Sequence, residues 1–374
     1  MKLEPHLPHL PSVNELLEHP RVKGIVERVN RTTIAKRAAS FLEELRSSLA
    51  ERVGRIEAPS VAHLAERLAR RLLGDPAAGG TVINATGVVV GDPEFTPPLA
   101  EQALHAMLQL GSDFHRRPVV VDDDLAGDLC QQTGAEAALV TCSFDGAVAM
   151  ARSAALPGSA VLEVAPLAGF YDPARCGYGP VQTIGARIAA GADLVVVDGA
   201  GLLGGPTCGV VVGRRRHVDL AASHPLARAL AIDAARAAAL RATLSAYRDA
   251  DADADAVMFH VPVWQLLSAP LANLEQRARR LAALLAECAS VAQAEPRQVE
   301  STWASGDDGG LVGPSWAIAV RPSSGDAESF AARLFRGSHP LAARQAGGDV
   351  LLDLRSVFPR WDQQVAAKVE AAGQ

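Results

Sequence analysis

Three places in the chain combine residue types that could bind an anion. Ser143 and Gly146 follow a predicted strand at the start of a predicted helix, and the free backbone N–H groups of a helix start can bind phosphate. A serine in this position more often caps its own helix. The basic run at 214–217 (Arg-Arg-Arg-His) could contact an anion or an RNA, although such runs are usually solvated strand ends. The run at 115–117 (His-Arg-Arg) allows the same two interpretations.

Other catalytic patterns in the sequence are weak. Ser223 and His224 are adjacent, and adjacent residues rarely form a nucleophile–base pair. The 5 cysteines are scattered, without the spacing of a zinc site or a disulfide framework. The aspartate-rich run at 249–255 predicts an exposed linker rather than a calcium loop, which would need mixed ligands and a glycine turn. We therefore predict no metal site and assign no residue a catalytic role.

Lysine is absent between Lys36 and Lys368. The lysine amine is nucleophilic and burial tunes its pKa, so lysine is the side chain that forms Schiff bases with carbonyl compounds. Arginine cannot replace it, because the guanidinium stays protonated. A bias toward arginine codons explains most of the scarcity. Even so, most of the chain lacks the residue that imine chemistry requires.

The composition indicates an α/β protein. The chain has 374 residues, of which 49% are hydrophobic and 4% aromatic, so its core must consist mainly of Ala, Val and Leu, as in buried parallel sheets. A net charge of −6 argues against a general nucleic-acid binder, although residues 1–78 are slightly basic. The sequence shows no signal peptide and no apolar run long enough to span a membrane. These features predict a cytoplasmic protein.

The order of predicted elements suggests three domains. Residues 1–78 read as an N-terminal helical domain, in which Ser12 and Glu15 form a capping-box pattern. Residues 79–256 alternate strands and helices, which predicts a largely parallel sheet, and residues 257–374 suggest a small α+β domain. The predicted strands of the middle domain are 81–83, 138–141, 160–164, 193–197 and 209–212, and its predicted helices are 99–110, 124–133, 145–155 and 226–247.

Motifs from one end of the chain to the other resemble the bacterial selenocysteine synthase family, which is the L-seryl-tRNA(Sec) selenium transferase family. They occur in the same order as in that family, so a chance resemblance is improbable. The motifs are 10–17 (LPSVNELL), 83–89 (INATGVV), 133–140 (TGAEAALV), 202–206 (LLGGP), 209–213 (GVVVG), 223–230 (SHPLARAL) and 351–355 (LLDLR).

The resemblance implies a pyridoxal phosphate (PLP)-dependent transferase fold of type I, with a shortened, mixed or parallel central sheet between the helical and α+β domains. In the family, the Schiff-base lysine immediately precedes the LLGGP segment. Gly201 occupies that position here, and Ala200 stands where the family has an aspartate. By position, Ser143, Gly146 and Gly204 are the candidates for a vestigial cofactor site.

The interval before Gly201 is also short. About 60 residues separate Cys142 from Gly201, whereas each βαβ unit needs roughly 30 or more. Only about two such units fit, and no strand-borne acidic residue matches the family's partner for the pyridine nitrogen. We therefore expect no PLP, unless the family activity survives.

Three hypotheses for function remain open. The first is a degenerate, non-catalytic family member that acts as an oligomer subunit or a regulator, alone or together with an intact homologue. The second is an active selenium transferase that binds PLP non-covalently or receives a lysine from a partner chain. The third is a module that binds tRNA(Sec) through residues 1–78. No membrane partner is expected.

Overall fold

The computed structural model describes residues 10–26, 31–50, 60–62, 64–65, 68, 80–115, 120–155, 160–249, 254–305, 310–337 and 339–373. The chain divides into two compact units. The first comprises Met1–Val82 with Gly337–Pro340, and the second comprises Ile83–Arg336 with Leu341–Gln374. The predicted domain boundaries after residues 78 and 256 stay predictions.

The first unit contains helices Val13–Glu18, Pro20–Val26 and Arg31–Ala50. The predicted capping box begins the first helix. The Ser12 backbone N–H donates to Glu15 Oε2 at 2.7 Å, and the Glu15 N–H donates to Ser12 Oγ at 3.2 Å. Much of the predicted third helix lies outside the described residues. The buried apolar side chains of this unit are Leu16, Leu17, Val22, Ile34, Ala38, Phe41, Leu42, Leu45, Leu64, Ala65 and Leu68.

A four-stranded mixed sheet forms the first half of the second unit. Its strands β2 (Ala137–Thr141), β3 (Leu162–Val164), β4 (Leu194–Asp198) and β5 (Gly209–Gly213) lie in the order β2-β5-β4-β3. β3 and β4 are parallel, but β5 is antiparallel to both of its neighbours. The expectation of a largely parallel pairing pattern is wrong, because only a short loop joins β4 to β5. Such a loop returns the chain in the opposite direction.

Helices cover both faces of this sheet, as its aliphatic strands require. One face packs against helices Phe144–Ala155 and Arg215–Ala222. The other face packs against helices Asp123–Thr133, Ile184–Ala189 and Ala234–Asp249. Helix Glu101–Gly111 packs on Ala234–Asp249. The last of the predicted helices, 226–247, begins eight residues later than expected at Ala234, because residues 223–230 form turns.

A five-stranded sheet forms the second half of this unit. Its strands are β1 (Ile83–Ala85), β6 (Val291–Ala304), β7 (Leu311–Pro322), β8 (Leu341–Ala346) and β9 (Asp349–Asp353). They lie in the order β1-β8-β9-β7-β6, and within this sheet only the pair of β1 and β8 is parallel. The strand predicted at 81–83 corresponds to β1, which belongs to this sheet and not to the four-stranded one.

Three helices, Leu271–Ala286, Ala327–Leu334 and Asp362–Ala371, share an apolar core with the five-stranded sheet. Helices Ala254–His260 and Pro262–Leu267 precede them. The aspartate-rich run at 249–255 was predicted to be a linker. Its residues 250–253 lie outside the described residues, while Asp249 ends one helix and the next helix begins at Ala254. None of the described helices is long and apolar enough to cross a bilayer.

Candidate functional site

The ends of three strands meet at one edge of the four-stranded sheet. In the strand register Gly209, the first residue of β5, pairs with both Thr141 at the end of β2 and Asp198 at the end of β4. The segments 142–146 and 199–208 therefore emerge at the same edge. In α/β proteins, ligands bind beyond the carboxyl ends of the strands. The candidate site is accordingly this edge, where the strands end. It contains the four positions named from the sequence, which are Ser143, Gly146, Gly201 and Gly204.

Ser143 acts as a helix cap. Its Oγ accepts a hydrogen bond from the Gly146 N–H at 3.0 Å, and its backbone oxygen accepts one from Thr141 Oγ1 at 2.7 Å. The Ser143 side chain therefore already satisfies one of the free N–H groups that would face a phosphate. The geometry matches the ordinary interpretation of this serine. The assignment of Ser143 and Gly146 to a cofactor site stays a prediction.

The start of helix Phe144–Ala155 is covered by the segment around Leu230. A Cβ added to Gly146 would lie 3.1 Å from Leu230 Cδ2. The Cys142 N–H donates to the Leu230 backbone oxygen at 2.8 Å, and Arg236 donates to the Cys142 oxygen at 2.9 Å. An aliphatic side chain thus occupies the space beside the glycine where an anion would have to approach.

Gly201 lies in a backbone environment that excludes a side chain. A Cβ at this position would lie 2.6 Å from the Pro166 oxygen and 3.2 Å from the Asp198 oxygen. Both contacts are with backbone atoms, which cannot turn aside as the end of a flexible side chain can. The lysine-equivalent position is therefore sterically closed to every residue except glycine unless the backbone moves.

Gly204 is constrained in the same way. Its φ of +64° lies in the left-handed region that favours glycine, and an added Cβ would lie 2.3 Å from Val261 Cγ1. The side chain just before helix Pro262–Leu267 therefore packs directly on the Gly204 backbone. These contacts do not point to a ligand, and the assignment of Gly204 to a cofactor site stays a prediction.

Two carboxyl groups, those of Asp145 and Asp198, lie at this edge together with the Arg236 guanidinium, which donates to the Cys142 oxygen. Asp198 is half-buried and its Oδ1 accepts a hydrogen bond from the Ala200 N–H at 3.0 Å. Burial raises the pKa of Asp198, the hydrogen bond from Ala200 lowers it, and the charge of Asp145 raises it further. Burial also raises the pKa of the Cys208 thiol, which keeps it protonated and unreactive. A phosphate group would meet two carboxylates here.

The basic run at 214–217 lies at the opposite edge of the sheet, because β5 runs away from the candidate site. Arg214 Nε is 3.0 Å from Asp193 Oδ1, and the Arg215 N–H donates to Glu136 Oε2 at 3.0 Å. His217 is buried, and its Nε2 accepts a hydrogen bond from Arg216 Nε at 2.9 Å. The run therefore holds helix Arg215–Ala222 on the sheet, and the structure does not bring it to Gly201.

The remaining sequence candidates are dispersed. His115 is exposed, and the two arginines after it lie outside the described residues. Ser223 Oγ donates to the Asp219 oxygen at 2.8 Å, while His224 Nδ1 accepts from the Leu226 N–H at 3.1 Å. Within the part of the chain that the structure describes, no group of three or more His, Cys, Asp or Glu side chains is placed to hold a metal ion.

A buried polar cluster around Asp353 was not found from the sequence. The Asp353 carboxylate is fully buried and accepts hydrogen bonds from Ser301 Oγ, Ser315 Oγ (2.6 Å) and Arg344 (2.9 Å). Arg355 is also buried and donates to the backbone oxygens of Ala269 (2.7 Å), Pro314 (2.9 Å) and Leu266 (3.2 Å). Its guanidinium therefore ties loops together. The 351–355 motif contributes to the family resemblance. The residues that contact Asp353 and Arg355 lie far away in sequence, however, so the motif alone does not reveal the cluster.

The same cluster joins the 83–89 motif to the end of β9. The Ser356 hydroxyl donates to the Asn84 backbone oxygen at 2.8 Å and accepts from the Gly87 N–H at 2.9 Å. A Cβ on Gly87 would lie 2.5 Å from Asp353 Oδ2, so only glycine allows this approach. Two of the motifs that carry the family resemblance therefore form one structural joint.

Comparison with known proteins matches this chain to two family models. The model described as L-seryl-tRNA selenium transferase matches residues 169–358, and the model described as selenocysteine synthase N terminal matches residues 9–46. A relative from Moorella thermoacetica, an L-seryl-tRNA(Sec) selenium transferase, is 38% identical over 188 residues, which are 49% of this chain and 38% of the relative. The alignment thus spans less than two-fifths of that relative's length.

A second relative aligns along almost the whole chain. The L-seryl-tRNA(Sec) selenium transferase of Carboxydothermus hydrogenoformans is 24% identical over 453 positions, covering 96% of each chain. Because that alignment is longer than the 374 residues of this chain, the relative contains segments that this chain lacks. Among solved structures, D-glucosaminate-6-phosphate ammonia-lyase is similar with a TM-score of 0.51 and 17% identity, over 81% of this chain and 97% of that one. The fold is the mixed α/β fold of type I.

Proposed function

The chain belongs to the L-seryl-tRNA selenium transferase family, and from that premise we propose that it is a non-catalytic member acting as an oligomer subunit or a regulator. Enzymes of this family and of this fold type use PLP as their cofactor. The single observation that carries the proposal is the crowding at Gly201, where an added Cβ would meet the Pro166 oxygen at 2.6 Å. A covalent anchor for the cofactor has no space at this position.

The surroundings of Gly201 support the same proposal. The residues present fit PLP poorly, because Ser143 caps its own helix, Leu230 covers Gly146, and Asp145 and Asp198 would repel a phosphate. PLP chemistry needs a primary amine that forms the Schiff base and a group that tunes the pyridine ring. Asp198 places a carboxylate at this edge, but no lysine lies there among the described residues, and Lys368 is the only lysine in the sequence after Lys36.

The test of this proposal is reductive trapping with PLP. The purified full-length protein is incubated with PLP, reduced with borohydride and mapped by peptide mass spectrometry, with the Moorella thermoacetica transferase as the positive control. We expect stoichiometric labelling of the control and only trace, unsaturable labelling of this chain. Selenium transfer to L-seryl-tRNA(Sec) should likewise be absent. Saturable labelling of one lysine with accompanying transferase activity would show that the active-enzyme alternative is correct.

The subunit role requires a partner, which is either a second copy or an intact homologue. Co-expression with a tagged intact homologue, followed by gel filtration, distinguishes the two. We expect a mixed complex in which the transferase activity per intact subunit is changed. If the chain neither enters a complex nor alters that activity, the role as a subunit or regulator is wrong even though the chain is non-catalytic.

Binding of tRNA(Sec) through residues 1–78 is a second candidate function. It is favoured by the match of residues 9–46 to the N-terminal family model and by the exposed side chains of Lys36 and Arg37 on helix Arg31–Ala50. A gel-shift titration of the full chain should give an affinity that falls with salt. The double substitution Lys36→Glu and Arg37→Glu should weaken it, whereas the double substitution Arg152→Glu and Arg228→Glu, at exposed positions of the second unit, serves as the charge-matched control. Equal affinity in all three proteins would exclude this contact.

A further inference from the structure

The loop between β4 and β5 is closed by its own backbone. The Gly199 N–H donates to the Cys208 oxygen at 2.9 Å, and the Gly205 N–H donates back to the Gly199 oxygen at 2.8 Å. Within that ring, the Gly201 N–H donates to the Asp198 oxygen at 3.1 Å and the Gly204 N–H to the Gly201 oxygen at 3.0 Å. Residues 199–208 therefore form a compact turn in place of an open segment.

Glycines make this turn possible at more than one point. A Cβ on Gly199 would lie 2.3 Å from Cys208 Sγ and 2.7 Å from the Pro206 oxygen. Together with Gly201 and Gly204, this gives three positions at which a side chain would force the loop open. The crowding is therefore a property of the whole turn, and it is not confined to the position of the missing lysine.

Two aromatic side chains, Tyr247 and Trp264, donate hydrogen bonds to backbone oxygens of the turn. Tyr247 Oη lies 2.9 Å from the Leu203 oxygen and 3.1 Å from the Leu202 oxygen. Trp264 Nε1 lies 3.1 Å from the Leu202 oxygen and 2.8 Å from Tyr247 Oη. Both side chains are buried, and the rings of Phe170 and Tyr171 pack on Tyr247 with centroid distances of 4.9 Å and 5.6 Å. We call Tyr247 and Trp264 the aromatic clasp.

Buried carbonyl oxygens need hydrogen-bond donors, and a phenol and an indole supply them here. The clasp thus replaces water or a ligand as the partner of the loop. Burial raises the pKa of Tyr247 above its usual value, which favours the protonated hydroxyl that donates to the loop. Opening the loop would leave these carbonyls and donors unpaired in an apolar core.

From these contacts we infer that the 199–208 loop is closed and has no space for a side chain at position 201. Restoring lysine at this position therefore does not recreate a cofactor site. The inference rests on the proposed non-catalytic function and deepens it. Loss of one residue from an otherwise intact pocket would be reversible by one substitution. Closure of the loop by three glycines and the aromatic clasp cannot be reversed by one substitution.

The first experiment compares Gly201→Lys and Gly201→Ala with Gly127→Ala. Gly127 lies on helix Asp123–Thr133, and a Cβ there meets nothing within 4 Å, so it is a matched control. We expect a lower melting temperature for both Gly201 variants, no loss for the control, and no saturable borohydride-trapped adduct of PLP at position 201. Gly201→Ala with the parent's melting temperature would overturn the steric argument. Gly201→Lys with a saturable PLP adduct would overturn the inference as a whole.

A second variant tests the clasp even if Gly201→Lys does not fold. Tyr247→Phe removes the hydroxyl and keeps the ring, so the fold should survive. Hydrogen–deuterium exchange should become faster at the amides of Gly204 and Gly205 while the amides of β4 and β5 stay protected. Unchanged exchange in the loop would show that the clasp does not close it.

The outcomes separate this inference from the proposed function. A saturable adduct with the unaltered protein contradicts the proposed function. An adduct that forms only in Gly201→Lys contradicts the inference that the loop is closed and leaves the proposed function standing.

Discussion

Asp353 has the densest set of polar contacts described for a buried carboxylate in this chain, and its role is structural. It receives hydrogen bonds from two serine hydroxyls and from Arg344. The substitution Asp353→Asn keeps the shape but removes the charge, and leaves Arg344 beside a neutral amide. We expect a loss of about 3 kcal/mol in the free energy of unfolding, the usual scale for breaking a buried pair, measured by urea denaturation.

Asp145→Asn is the control for that measurement, because Asp145 is exposed and its charge should contribute less than 1 kcal/mol. Equal stabilities of the two variants would mean that the Asp353 cluster contributes nothing beyond its packing.

Asp193 gives a pH-dependent prediction at the same scale. A hydrogen bond from the Val161 N–H (2.8 Å), and next the charge of Arg214, lower the pKa of this carboxyl below its usual value of 3.8. A lowered folded-state pKa stabilises the fold above the unfolded pKa, and this contribution is lost as the pH falls through the folded pKa. Asp193→Asn should therefore be less stable than the parent at pH 7, by roughly 1–3 kcal/mol.

The stability difference between Asp193→Asn and the parent should shrink as the pH falls below about 4. Urea denaturation of both proteins between pH 7 and pH 3 measures it. A difference that stays constant over this range would mean that the carboxylate charge is not what stabilises this corner of the sheet.

Single residues differ in how far sequence reasoning could identify them. Ser143 as a helix cap was predictable because the capping pattern is local. Gly201 was found by its position beside a motif, but the contact that makes it indispensable comes from Pro166, which no local pattern connects to it. Asp353 escaped for the same reason, since its partners Ser301 and Arg344 come from other strands.

At the scale of elements, the capping box of helix Val13–Glu18 can be tested directly. Ser12→Ala removes the acceptor of the Glu15 N–H and should destabilise this short helix by about 1 kcal/mol. Hydrogen–deuterium exchange at the amides of Leu16 and Leu17 should become severalfold faster. Ser40→Ala is the control, because Ser40 is exposed on helix Arg31–Ala50 and donates only to its own helix, at the Lys36 oxygen. Unchanged exchange in Ser12→Ala would contradict the cap.

Strands with an aliphatic pattern were predicted well, whereas the polar strand β6 was not. β2, β4 and β5 were expected within a residue or so of their observed bounds, because both faces of these strands are buried. β6 was missed, since Val291–Ala304 contains Pro296 and several charges and reads as a loop. Its place at the edge of the five-stranded sheet explains that composition, because proline and charge discourage further pairing at an edge.

At the scale of the whole molecule, the two sheets belong to one compact unit. The β1 strand pairs with β8, and one core cluster contains Val90, Leu202 and Trp303 from distant parts of the chain. Cutting the chain at an engineered protease site within 250–253 should therefore leave a single folded particle. Gel filtration should show both fragments together in native buffer and apart in denaturant.

Separation of those fragments without denaturant would contradict a shared core. It would favour the predicted boundary after residue 256 as a true division between independently folding parts. An uncut sample carried through the same buffers serves as the reference for the elution volume.

The type of fold followed from the order of motifs, whereas the pairing of strands did not. Order along the chain predicts helices before an α/β region and an α+β region, and the division into these three domains stays a prediction. Pattern alone could not show that residues 83–85 leave the α/β region for the other sheet, because strand partners are chosen by long-range packing.

That early strand has a consequence for how the molecule is made. The Gly87 N–H and the Ser356 hydroxyl that bind each other are 269 positions apart in sequence, so the joint cannot form until nearly the whole chain has left the ribosome. During synthesis, the four-stranded sheet can fold before β8, the strand that pairs with β1, has been made. We therefore expect the five-stranded sheet to be completed late in folding, because its contacts are of such long range.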